Sequence, residues 1–184
     1  MRTHALPGRA AKPCHHGAVD DEELVSLPDG ATVVIRPIAP TDAPALLRGL
    51  EHLSPRSRYR RFLGTPRIGP AELRYLTDVD HCDHEALGAA DPATGEGVGI
   101  ARYIREPGAD SAEIAVTVDD DWQGRGVGTA LLVRLADRAR AAGIRRFTGL
   151  ILAENAPMRA LMAKLGNPES RNVGDGTVEA SVPL

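Results

Sequence analysis

Aromatic side chains are scarce in this sequence: two Phe, one Trp and three Tyr, or 3% of 184 residues. The core must therefore be built from Leu, Val, Ile and Ala, and readings that need several aromatic platforms under bases or sugars lose support. Cysteine is scarcer still. Cys14 and Cys82 are far apart and outside any metal-ligand spacing, so a disulfide framework is not expected and a reducing cytosol is the simpler setting. No apolar run approaches the roughly 18–20 residues of a membrane helix. The opening segment Met1–Ala10 also lacks the apolar centre of a secretory signal, so the expected location is cytoplasmic, away from membranes. An excess of positive charge is missing too. Lys and Arg number 22 against 25 Asp and Glu, a formal charge of −3, which argues against a general nucleic-acid coat that must displace counterions.

What is present is an ordinary globular complement. Hydrophobic residues make up 42% of the chain, enough for a sizeable core. The length suits one domain with a short appendage. Glycine (19) and proline (14) exceed the average without reaching low complexity. Residues 1–22 are rich in Pro, Gly, Ala and His without a period. They are expected to form a flexible tail, leaving 23–184 as the domain. His15 and His16 beside Cys14 lack further ligands at a useful spacing, so no metal is expected.

Beyond the tail the pattern is regular. Pro28-Asp29-Gly30 signals a turn before a β-branched strand, Ala31–Arg36, that stops at Pro37. Thr41-Asp42 is placed to cap a helix carrying Ala45, Leu46, Leu50 and Leu53. Helices starting at Ser54-Pro55 and at Pro70 follow. Strands are expected at 85–90, 98–105 and 112–118, separated by turn-rich segments, as an antiparallel meander. Val127, Leu131, Leu135 and Ala139 recur every four residues on a helix over about 126–142 that Gly143 ends. A strand at 146–152, a helix at 156–165 and a hairpin about Gly174-Asp175-Gly176 complete a single α/β (α+β) domain without repeats.

The chemistry concentrates where the strand ending at Val118 runs through Gly124, Gly126 and Gly128 into a helix. Glycines let the backbone approach a ligand, and the outward N–H groups, with the positive end of the helix dipole, suit phosphate oxygens. Arg125 is placed to add a charged contact. The loop is neither a P-loop, since no Lys precedes Thr129, nor a dinucleotide fingerprint, since Val127 interrupts the glycine spacing and the loop lies deep in the chain. The alternative is a purely structural glycine turn.

Gln123-Gly124-Arg125-Gly126-Val127-Gly128 matches the signature Q/R-x-x-G-x-G/A. Val118 and Asp121-Trp122 precede it, and Leu152-Ala153-Glu154-Asn155, Met158, Leu161 and Lys164-Leu165-Gly166 follow. With these, the stretch from about Thr32 to Gly166 resembles the GNAT superfamily of N-acetyltransferases. Val34–Ile38, Leu53–Phe62, Thr77–His81 and Glu113–Val118 are most similar to bacterial Pat-type protein lysine acetyltransferases. The resemblance implies the GNAT fold, a mixed, mostly antiparallel central sheet splayed at the cofactor site with helices on both faces. It also implies acetyl-CoA as cofactor and a protein acceptor such as an acyl-CoA synthetase. Some such enzymes carry an extra regulatory domain; with only the tail before Leu24, none is expected here.

The same resemblance assigns roles. The pyrophosphate would lie on the amides of Gln123, Gly124, Arg125, Gly126, Val127, Gly128 and Thr129, and the pantetheine beside Val116, Thr117 and Val118 like an added strand. An N–H near Val116 would polarise the thioester oxygen. Asn155 would hydrogen-bond the cofactor while capping its helix, and Lys164 would reach a CoA phosphate or stay a solvated lysine. An acceptor ammonium, with a pKa near ~10.4, must lose a proton before it attacks. Glu113 matches the glutamate of Pat-type enzymes and is the expected general base; the competing reading is a surface glutamate at the edge of the meander. Two positions depart from the family pattern. Met162 stands where many members have the tyrosine suited to protonating the thiolate, and Asn167 follows Gly166 in place of the usual Phe.

Arg56, Arg58, Arg60 and Arg61, with Tyr59 and Phe62, form the densest basic cluster. It reads either as an electrostatic surface for an acidic protein partner or as a solvated helix face with its aromatics turned inward. His81, Asp83 and His84 have metal-like spacing in what is more simply a loop, and His81 is a candidate second acid/base group near the acceptor. Two rivals remain open: acetylation of a small amine, and a non-catalytic CoA-binding module. The oligomeric state is not legible.

Overall fold

The computed structural model describes residues 21–64 and 68–184. Cys14, His15, His16 and the tail up to residue 20 lie outside the described residues. Pro28-Asp29-Gly30 forms the expected turn: the Leu27 N–H donates to the Ala31 carbonyl at 2.7 Å and Gly30 takes a φ of +86°. It joins β2 (Thr32–Pro37) to an unexpected short edge strand, β1 (Glu23–Ser26), whose only apolar residues, Leu24 and Val25, are too few for a period-2 signal.

Three helices follow: α1 (Ala43–His52), α2 (Pro55–Phe62) and α3 (Pro70–Thr77). Ser54 caps α2 by accepting the Ser57 N–H at 3.2 Å. Asp42 does not cap α1 as expected; its carboxylate accepts from Arg36 and from the Ala39 N–H instead. A charged donor within reach outcompetes the orphan amides of the first turn. The meander β3 (His84–Ala90), β4 (Gly97–Ile104), β5 (Ser111–Val118) leads into α4 (Val127–Ala141). Then come β6 (Arg146–Leu152), α5 (Ala156–Met162), and the hairpin β7 (Glu169–Gly174), β8 (Thr177–Pro183).

Among the described residues eight strands lie in the order β1-β2-β3-β4-β5-β6-β8-β7, and only β5–β6 is parallel. Alternation along the strands divides the side chains between two faces. Val33, Ile35, Leu87, Ala89, Ala101, Tyr103, Ile114 and Phe147 face α4. That helix buries Val127, Leu131, Leu132, Leu135, Ala136 and Ala139, the expected stripe widened by two positions. Its chain reverses at Gly143, whose φ of +81° suits glycine. Tyr103 and Phe147 form an aromatic pair inside this aliphatic core, with centroids 6.0 Å apart. The other face carries α1, α2 and α3. Small residues on the sheet there (Gly88, Ala90, Gly97) leave a cavity of about 120 Å³ beneath α1, lined also by Leu46, Leu50 and Thr117. Cys82 is disulfide-bonded, which corrects the expectation of a reduced thiol; whether a cysteine pairs is a matter of tertiary geometry, and sequence spacing does not carry that.

Candidate active site

The parallel pairing of β5 with β6 lasts three residues, Ser111, Ala112 and Glu113 against Arg146, Phe147 and Thr148. Past that point each strand keeps its outer partner, β5 to β4 as far as Val118–Gly99 and β6 to β8 as far as Leu152–Thr177, while their inner edges part. The Asp119 N–H bonds the Val98 carbonyl. By the alternation of an antiparallel ladder, Thr117 and Ala115 also turn their backbone groups to β4. Val116 and Val118 therefore turn theirs to the open side of the fork, and the Val118 carbonyl indeed accepts from Gln123 Nε2 at 3.1 Å. The structure thus brings Val116 and Val118, but not the Thr117 backbone, to the unpaired edge. The Thr117 hydroxyl is buried on the α1 face without a partner among the described residues.

At the mouth of the fork the glycine loop opens α4. Gly126 has a φ of +105°, and a Cβ there would sit 2.7 Å from Pro28 Cδ. Gly128 is helical and meets only Leu161 and Val118, at 3.5 Å. No side chain caps α4, so the first-turn N–H groups of Val127, Gly128 and Thr129 have no partner within their helix and lie at its positive end. Arg125 is already engaged: its Nε donates to Asp29 at 2.6 Å and its guanidinium stacks 4.0 Å from the Trp122 ring. That ion pair, with the Ala31 N–H, holds the Asp29 carboxyl below its ordinary range. Asn155 is buried and its Oδ1 accepts the Met158 N–H at 3.2 Å, so it does cap α5. Lys164 is exposed past the end of α5.

One connection had no signal in the sequence. The Asp120 carboxylate accepts from the Ser54 N–H (2.8 Å), Ser54 Oγ (3.0 Å), Ser57 Oγ (2.6 Å) and Gln123 Nε2 (3.2 Å). Partial burial works against its charge, but these donors together keep the carboxyl below its ordinary range. The network clamps the start of α2 onto the glycine loop, across more than sixty positions of chain.

Glu113 stands at the apex of the fork on the α1 face and is exposed. Around it are groups that sequence reading did not join. Arg102 on β4, 4% exposed, donates to the Leu76 carbonyl at 3.1 Å and lies 3.2 Å from His84 Nε2. Burial and the nearby Arg61 push Arg102 down to about 10. Burial and Arg102 hold His84 down to about 4, so its ring is neutral at neutral pH and accepts from the guanidinium. The His84 ring also tilts against Tyr75, centroids 5.1 Å apart.

The Arg56–Arg61 cluster divides its labour. Arg58 donates to the Leu50 carbonyl at the end of α1, Arg61 lies over Phe62 and interacts with Glu113, and Tyr59 is 51% exposed rather than turned inward. His81, Asp83 and His84 do not converge: they meet Glu85, Arg105 and Arg102 respectively. Among the described residues no group of three His, Cys, Asp or Glu is arranged for a metal. His81 serves Glu85 on the α4 face, and it is His84 that shares a face with Glu113.

A forked sheet with an unpaired strand edge, an uncapped helix N-terminus at its mouth and a carboxylate at its apex is built for an extended ligand with an anionic end. Residues 32–167 match the acetyltransferase (GNAT) domain, and the chain belongs to the GNAT acetyltransferase family, whose members use acetyl-CoA. It is 36% identical over 161 residues to the acetyltransferase Pat of Mycolicibacterium smegmatis, covering 86% of this chain and 48% of that protein. An acetyltransferase of Pseudomonas aeruginosa is 36% identical over 172 residues, covering 91% of this chain and 92% of that one. The solved GNAT domain of Streptomyces lividans PAT superposes with a TM-score of 0.81 at 36% identity, covering 89% of this chain and 97% of that chain. The chain thus spans about half the length of the mycobacterial relative.

Proposed function

We propose that the protein transfers the acetyl group of acetyl-CoA to the ε-amine of a lysine in a protein acceptor, of the acyl-CoA synthetase class that the Pat resemblance implies. The observation that carries this reading is the fork itself, with Glu113 at its apex and the unpaired backbone of Val116 and Val118 leading away to the glycine loop. The pantetheine amides of acetyl-CoA pair with that edge as a strand would, and its pyrophosphate rests on the amides from Gly126 to Thr129 at the start of α4. The Val116 N–H, fixed in advance by the β4 ladder, faces the thioester oxygen and stabilises negative charge as it develops there.

Glu113 receives the proton that the acceptor ammonium must lose, directly or through one water. The free amine attacks the thioester carbon, a C–N bond forms, and the C–S bond breaks to release CoA as its thiolate. Met162 is fully buried, so solvent protonates the thiolate where many family members use a tyrosine. Three of the large apolar side chains left exposed, Tyr59, Tyr75 and Leu150, lie on α2, α3 and β6 beside the fork. Exposed aromatic and apolar side chains of this kind suit contact with a protein segment better than enclosure of a small amine.

The test compares wild type with Glu113→Gln on a panel of acyl-CoA synthetases and small amines. Wild type is expected to acetylate proteins, and the variant to lose on the order of 10²- to 10⁴-fold in kcat/KM while binding CoA normally. Transfer to small amines alone refutes the protein acceptor, and unimpaired Glu113→Gln turnover refutes the base.

A further inference from the structure

Five half-buried arginines outside α2 come with close carboxylates. Arg36 pairs with Asp42, Arg105 with Asp83, Arg125 with Asp29, Arg134 with Glu23 and Arg138 with Glu85. Arg102, the most deeply buried of the described arginines, makes no ion pair among the described residues; neither do Arg58, Arg60 and Arg61 on α2, although Arg61 interacts at longer range with Glu113. Arg102 is held by a carbonyl and a neutral imidazole, which orient a guanidinium without neutralising it. An uncompensated buried charge is costly, and its retention marks a place where the charge is used.

The place is beside Glu113. Glu113 is registered opposite Ile104, two residues along β4 from Arg102 on the same face, a diagonal separation of about 7–8 Å between backbones. Arg61 reaches this face from α2 and interacts with both Arg102 and Glu113. The CoA phosphates do not account for the pair. In the pose proposed above they lie at the glycine loop, beyond Val118, five residues from Glu113, or roughly 17 Å along the strand. What does come to Glu113 in that pose is a lysine ammonium, and at neutral pH only roughly one lysine in 2,500 is uncharged.

Resting on the acetyl-transfer reading above, we propose that Arg61 and Arg102 tune the acceptor: their charges oppose the ammonium at Glu113 and favour the neutral amine that attacks. A lysine beside other cations loses its proton more easily. The charged or titratable groups facing this point are Arg61 from α2, Tyr75 from α3, His84 from β3, Arg102 from β4 and Glu113 itself, with Asp80 and His81 acting on His84 from the preceding loop. His84 is neutral in the working range, so the two guanidinium groups set the sign.

The test removes one charge. Arg61→Gln should move the ascending limb of the kcat–pH profile, which reports ionisations within the bound complex, about one unit upward, so that activity lost at neutral pH returns at high pH. Arg61→Lys, which keeps the charge, should leave the limb in place; a purely structural role would lower the rate at every pH. A second measurement does not need turnover. Nα-acetyl-lysine amide, labelled with ¹³C at Cε, is titrated by NMR in the presence of the CoA-loaded protein. Wild type should lower the lysine pKa by about one unit from ~10.4, and Arg61→Gln should cancel most of that. CoA affinity and melting temperature show that each variant folds. An unmoved pH limb or an unshifted lysine titration with wild type overturns the proposal. Absence of acetyl transfer with a shifted titration would instead refute only the acetyl-transfer reading.

Discussion

Gly126 and Gly128 stand two residues apart in one loop, and the structure predicts opposite outcomes when each becomes alanine. At Gly126 the backbone has a φ of +105°, and the new Cβ would lie 2.7 Å from Pro28 Cδ and 3.2 Å from Pro28 Cγ. Carbon atoms rest at about 3.5–4.0 Å, so Pro28 must retreat by most of an ångström. It is not free to do so. The Leu27–Ala31 hydrogen bond of 2.7 Å and the Arg125–Asp29 ion pair hold its turn against the loop. Backbone strain of about 1–3 kcal/mol adds to a steric cost of about 1–3 kcal/mol. The expected loss for Gly126→Ala is therefore about 2–6 kcal/mol, or a fall in Tm of roughly 5–20 °C in a chain of this size.

Gly128→Ala differs on both counts. Its φ is helical and its Cβ meets Leu161 and Val118 at 3.5 Å, an ordinary contact. Alanine in a helix is better than glycine by about 0.5–1 kcal/mol, so this variant should melt at or slightly above wild type and keep its CoA affinity. The contrast explains why the signature demands glycine at the first position and accepts alanine at the second. Thermal melts with and without CoA check it. Should Gly126→Ala melt within 2 °C of wild type, or Gly128→Ala fall as far as Gly126→Ala, the reasoning from loop geometry is wrong.

Two further predictions concern stability. Glu85, 1% exposed, accepts from Arg138 at 3.1 Å and the Ala86 N–H at 2.9 Å and lies 2.8 Å from His81 Nδ1. Glu85→Gln leaves Arg138 without its counter-charge and should cost about 3 kcal/mol in urea unfolding; a loss below 1 kcal/mol would show that the cluster is better solvated than its burial implies. His84 should make stability pH-dependent. Its pKa falls from the ordinary 6.5 to about 4 on folding, so between those values the unfolded chain binds more protons. Its contribution is complete above pH 6.5 and is lost as pH drops towards 4. His84→Asn should flatten that stretch of the stability profile, and an unchanged slope would count against a neutral, buried His84.

Much of this protein was legible before folding was considered. The α4 stripe, the meander and the loop glycines follow from periodicity and from residue types that suit particular dihedral angles. The cap at Asn155 was legible for the same reason, since its hydrogen bond closes within three residues. Asp42 shows the limit: as a cap it was locally plausible, but Arg36, six positions away, took the carboxylate. The Asp120 clamp and β1 were equally hidden, the first because its partners are distant in the chain, the second because its partner strand rather than its own composition makes it a strand.

The sequence alone determined the glycine loop at the head of a helix, the strand before it and the carboxylate on that strand, because each is a local demand on backbone or side chain. Tertiary structure decided the rest. That β5 and β6 part after Glu113, and that Arg61, Arg102 and His84 from three other elements surround it, depends on strand register. A slip of one residue would turn every one of those side chains to the opposite face.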